Sequence, residues 1–158
     1  MNTENYLQIM SESLIIKKDI LDKLIVLNDE QEKIASAQEF DDVAFRDNVD
    51  AKAELIDELD RLDEGFNSLF ARVKEQLDAN RDAYKEDIAT MQQLIRDITD
   101  RATSVEAKET RNRVLIQNKF MSMRKEVQNA KKSSQMANTY YKSMNKLNYE
   151  PHFMDQKK

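Results

Sequence analysis

Residues that make turns are nearly absent from this chain. Its 158 residues hold one glycine, Gly65, and one proline, Pro151. Hairpins and tight loops draw on the backbone angles of these two residues, so the chain must be built from a few long elements. A glycine-rich phosphate loop cannot be assembled from one glycine. Cysteine is absent, which excludes disulfides and thiolate metal sites. The only histidine, His152, follows Pro151, and no Glu-x-x-His pair of the kind that builds di-metal bundles occurs. Asp60 to Gly65 looks like half a calcium loop, but Leu62 fills a ligand position and rules it out. No apolar run approaches the about 20 residues of a membrane span, so no membrane insertion is expected. Met1–Asn5 shows neither the basic nor the apolar region of a signal peptide. The expectation is a cytoplasmic, non-enzymatic protein without cofactor or metal.

What is present is charge and helical periodicity. Charged residues make up 35% of the chain and apolar ones 40%, a balance that suits long helices with one apolar stripe. The net charge of −5 conceals an asymmetry. Residues 39–64 hold 11 Asp/Glu against 3 Lys/Arg, and residues 108–158 hold 12 Lys/Arg against 4 Asp/Glu. Such blocks are solvated helix faces, set the register of packed helices, or steer a charged partner. The basic stretch Arg111–Lys132 is interleaved with Phe120, Met123 and Val127 at helical spacing. In an acidic chain this suits an amphipathic helix as partner better than a nucleic acid, which is not expected to bind.

The fold class predicted is all-α. Three long helices, about 2–37, 42–78 and 81–136, form an extended antiparallel, coiled-coil-like bundle over residues 1–137, followed by a less regular tail over 138–158. The first seam is Leu7, Met10, Leu14, Leu21, Leu24, Gln31 and Ile34. Asp41 is placed to cap the second helix, with Phe40 and Phe45 as a hydrophobic staple. The second seam runs from Phe45 through Val49, Ile56, Leu59, Leu62, Phe66, Leu69 and Val73 to Leu77. Gly65 lies inside it, which points to close approach of a neighbouring helix or a local kink. Asp78-Ala79-Asn80 marks the second break. The third seam, from Tyr84 to Val105, is interrupted at Glu109 and Asn112 and resumes at Ile116 after a stutter.

Antiparallel pairing about Asn80 sets residue j of the third helix beside residue 160 minus j of the second. The partner region then ends near Lys119, leaving an apolar stripe beyond it. Ile116, Phe120, Met121, Met123, Val127 and Met136 are accordingly the candidate partner-binding residues. Five of the eight methionines lie after residue 120, a clustering suited to an adaptable binding surface. The competing readings are that this helix folds back or pairs with its twin in a homodimer.

Several segments resemble those of a known family. Leu24-Ile25-Val26-Leu27-Asn28-Asp29-Glu30-Gln31, Phe45 and Lys52-Ala53-Glu54-Leu55-Ile56 look like the first hairpin of the FlgN-like flagellar export chaperones. Arg111-Asn112-Arg113-Val114-Leu115-Ile116 is similar to the family's Asn-x-x-Leu-Leu-type segment. Thr139-Tyr140-Tyr141 and Phe153-Met154-Asp155-Gln156-Lys157-Lys158 resemble its Tyr-containing tail and ending. Where the family commonly has a glycine after the tail tyrosine, Met144-Asn145 stand here. The resemblance covers most of the chain. It implies a cytoplasmic chaperone that binds the C-terminal helical segments of hook-associated proteins. Such a chaperone prevents their aggregation and premature assembly and delivers them to the flagellar export gate, with Tyr140 or Tyr141 docking there. The alternatives are a chaperone of the filament cap protein and a structural coiled-coil dimerisation module.

Overall fold

The computed structural model describes residues 2–130. Met136 at the expected end of the third helix, and Tyr140, Tyr141 and the rest of the expected tail, lie outside the described residues. Three helices follow in order: α1 (Thr3–Ser36), α2 (Asp42–Ala79) and α3 (Lys85–Ala130). The described residues are 91% helical and contain no strand, so the fold is the all-α helix bundle that turn poverty predicts.

Each helix end has a local cause. The Asn2 side chain accepts a hydrogen bond from the Asn5 amide at 2.9 Å, and Asp41 does the same for Ala44 at 3.0 Å. Both satisfy amides that a helix start leaves without intrahelical partners. The Phe40 and Phe45 rings lie 5.4 Å apart, which is the expected staple. The second connection differs from expectation. Asn80 ends α2 rather than opening α3: its backbone N–H and its Nδ2 both donate to the Gln76 carbonyl, at 3.1 and 3.0 Å. Residues 80–84 form a turn without glycine or proline, and α3 starts at Lys85 rather than 81.

The expected single bundle divides into two compact units. Among the described residues, unit 1 is 2–26 with Lys52–Glu106, and unit 2 is Leu27–Ala51 with 107–130. Unit 1 has an apolar core in which Leu7, Met10, Leu14, Leu21 and Leu24 of α1 meet Leu59, Val73 and Leu77 of α2 and Met91 and Ile98 of α3. Ion pairs Lys17–Asp63 (2.6 Å) and Arg101–Asp22 (2.7 Å) tie its helices at the rim. Lys52 is completely buried and is not without a partner. Unit 2 mixes aromatic and amide side chains in its core and is built up below.

Gly65 does not mark a helix crossing. A Cβ placed there would meet nothing within 4 Å, and the helix runs through it without interruption. The glycine therefore costs helix stability with no packing return inside the chain. Gly65→Ala is expected to stabilise the protein by about 0.5–1 kcal/mol, read as a raised midpoint in urea. A lowered midpoint would show that an alanine methyl is not accommodated.

Candidate functional site

The stripe proposed from the sequence is part of the core of unit 2. Ile116, Phe120 and Val127 are 2%, 5% and 2% exposed, which corrects the expectation that they form a solvated partner-binding stripe. For Phe120 the reason is register. Because the turn over 80–84 delays the start of α3, Phe120 lies against Phe45, with ring centroids 6.0 Å apart and planes at 81°. Phe40 completes the cluster, 5.8 Å from Phe120 at 77°. Edge-to-face rings at these distances attract beyond their area burial. Val127 continues the face that Asn112, Ile116, Phe120 and Met123 present at steps of four, four, three and four. Met123 is half-buried, and Met121 is exposed.

The break in the seam at Asn112 is a buried polar layer. Asn112 Nδ2 donates to the Asn28 carbonyl at 2.8 Å and to Gln31 Oε1 at 3.3 Å. Gln31 Nε2 donates to Asn48 Oδ1 at 3.1 Å, and Asn48 Nδ2 donates to the Leu27 carbonyl at 2.8 Å. All four side chains are buried. The Asn28 side-chain amide and Asn112 Oδ1 are buried without a hydrogen-bond partner among the described residues. Buried amides in a helical seam cost stability and penalise every register that leaves them unpaired.

The basic block is partly spent in the same unit. Lys119 Nζ donates to the Ala37 and Gln38 carbonyls, at 2.8 and 3.1 Å, where a cation suits the C-terminal end of α1. Lys108 pairs with Glu32 at 2.6 Å and Asp29 at 3.3 Å, and Arg111 approaches Glu32 at 3.8 Å. The partners of these cations are therefore the end of α1, not the acidic block over 39–64. Hydrogen bonding to Glu32 raises the Lys108 pKa above its ordinary value of 10.5; loss of hydration pulls the other way, and Asp29 adds to the rise.

A second candidate lies in unit 1, where sequence reading marks only core. Leu14 and Leu21 are seam residues of α1, and the seam position between them is Lys17. Its ammonium reaches Asp63 on α2 and stays partly solvated. Enclosing this pair would strip both charges of water, which opposes tight closure of the helices around it. Between Leu59 and Val73 no side chain of α2 is fully buried. A cleft of about 360 Å³ opens there, lined by Leu14, Leu62, Phe66, Ile95 and Ile98 and, in equal number, by Ser13, Lys17, Asp63, Asn67 and Thr99. Phe70 stacks on Phe66, with centroids 6.5 Å apart and planes at 10°, and extends the apolar wall. It lies four residues after Phe66 and three before Val73, in the phase of the seam, yet is 41% exposed; Ile95 is 44% exposed.

Among the described residues, no group of three or more His, Asp or Glu side chains could hold a metal ion. No described helix is long and apolar enough to cross a membrane. Comparison with family models, curated proteins and solved structures returns no match.

Two outcomes test unit 2. Phe120→Ala is expected to cost about 3–5 kcal/mol in a urea titration, as for a buried aromatic; a loss below about 1 kcal/mol would mean the ring is solvated. Lys108 gives a pH signature. Folding raises its pKa, so its contribution is fully present below 10.5 and lost as pH rises through the folded value. The melting-temperature gap between the protein and Lys108→Gln is therefore expected to stay level from pH 7 to about 10 and to close above that. A gap that persists well above the lysine range removes the Glu32 interaction as its source.

Proposed function

We propose that this chain is a non-enzymatic chaperone that binds helical segments of other proteins, in the manner of the FlgN-like flagellar export chaperones. The observation that carries the binding role is the open cleft of unit 1, with Leu62, Phe66 and Ile95 among its lining residues. Its walls expose leucine, isoleucine and phenylalanine in the phase of a helical seam, the geometry that receives an amphipathic helix. The export role rests on the resemblance. Two segments that carry it, Leu24–Gln31 and Arg111–Ile116, meet through the Asn112 hydrogen bonds to Asn28 and Gln31. The clients are then the C-terminal helical segments of hook-associated proteins, bound in the cytoplasm before delivery to the export gate. A filament-cap client and a self-association module are the competing assignments.

Co-purification with C-terminal fragments of hook-associated proteins, with a cap-protein fragment alongside, separates these. Capture of a hook-associated fragment at a stoichiometric ratio is expected. Capture of the cap fragment alone reassigns the client, and a tight homodimer that captures neither favours the self-association module. Tyr140→Ala with Tyr141→Ala is expected to retain client and to lose the export gate. Equal loss of both would refute that division of labour.

A further inference from the structure

The cleft in unit 1 has a half-apolar lining, and the unit around it is acidic. Unit 1 holds 18 Asp/Glu against 11 Lys/Arg, a net charge of −7. The imbalance is sharpest where α2 enters the cleft: residues 54–64 carry six carboxylates and one arginine. Asp57, Glu58, Asp60 and Glu64 have no ion-pair partner among the described residues. Arg61, inside this segment, has no ion-pair partner among the described residues. Of the cations nearer the cleft, Lys17 is held by Asp63, Lys18 approaches Asp97 at 4.0 Å, and Arg96 meets only a neutral amide, donating to Gln93 Oε1 at 2.8 Å. The four unpaired carboxylates on α2 outnumber the two unpaired arginines, Arg61 and Arg96, so the field over the cleft is net acidic.

We infer that the cleft selects an amphipathic helix whose apolar face is flanked by lysine or arginine. Apolar side chains of such a helix fill the space beside Leu62, Phe66 and Ile95 and cover the exposed Phe70 ring. Its flanking cations meet the Asp57–Glu64 carboxylates, which speed encounter and discriminate against acidic helices. The Lys17–Asp63 pair opposes closure of the site in the free protein. The inference deepens the helix-binding reading and rests on it, but not on the flagellar assignment.

Fluorescence anisotropy on the full chain tests it. The probe is a labelled helical peptide of about 18 residues made only of leucine and lysine in amphipathic order. A leucine–glutamate counterpart and a scrambled, non-amphipathic peptide of the same leucine–lysine composition serve as comparisons. The ordered lysine peptide is expected to bind at least tenfold more tightly than either, about 1.4 kcal/mol. Phe70→Ser with Ile95→Asn should lower its affinity at least tenfold, with the melting temperature as a check on folding because both side chains are exposed. Asp60→Asn with Glu64→Gln should weaken the lysine peptide alone, and Met121→Ser in unit 2 should change nothing.

Equal affinity for the lysine and glutamate peptides, or for the scrambled one, overturns the proposal. So does full affinity in the Phe70/Ile95 variant. A free protein that is dimeric and becomes monomeric in that variant assigns the cleft to a second copy and equally overturns it. If hook-associated fragments fail to bind while the lysine peptide behaves as expected, the flagellar assignment falls and this inference stands. If the fragments bind with undiminished affinity to the Phe70/Ile95 variant, the inference falls and that assignment stands.

Discussion

The architecture of unit 2 depends on one constraint, the pairing of buried amides between α1 and α3. Helical seams made only of leucine and isoleucine tolerate sliding by a heptad, since one apolar layer resembles the next. Asn112 restricts that freedom. Its Nδ2 is satisfied where the Asn28 carbonyl and Gln31 Oε1 converge; a main-chain carbonyl recurs at every heptad, but a slip would forfeit the Gln31 bond, at about 0.5–1.5 kcal/mol. The Gln31–Asn48 bond extends the same condition to α2. With that register fixed, Phe120 faces Phe45 and Lys119 arrives at the end of α1.

Unit 1 shows the opposite use of a polar seam residue. Lys17 occupies a position that leucine would fill, and its partner Asp63 is itself half in water. An amide can be enclosed when its hydrogen bonds are met; an ion pair keeps its hydration or destabilises the core. The first closes a layer and the second opposes closure of one. The open layer is where Ile95 stays exposed beside Lys17 and Asp63, and Phe70 next to it through Phe66.

Much of the fold is legible in the sequence because helix length, the first connection and the apolar seam are local properties. Asp41 and the Phe40–Phe45 staple announce their roles by spacing alone, and the α1 seam through Leu24 can be counted off. The second connection is not legible. A turn over 80–84 that relies on Asn80 hydrogen bonds carries no glycine or proline to mark it, and the error of a few residues in its position moves every pairing on α3. That shift is why Phe120 reads as unpaired in sequence and is buried in the structure. Asn48, Lys52 and Asn112 are missed as core because hydrophobic periodicity does not score polar residues. Lys17 is missed for the same reason, and with it the cleft. A heptad count that asks which polar residues fall on seam positions would have found all four.

The pairing of α1 with α3 also bears on how the chain comes into being on the ribosome. Bonds such as Lys119 to Ala37 and Asn112 to Asn28 join residues 82 and 84 apart in sequence. The first two helices therefore leave the exit tunnel well before the residues that seal their seam. During that interval the nascent hairpin presents Leu7, Met10, Leu14, Phe45 and their neighbours to the surrounding medium, and long-range closure of this kind is slow compared with helix formation. A protein proposed to shield the apolar helices of others thus passes through a stage in which its own need the same shelter.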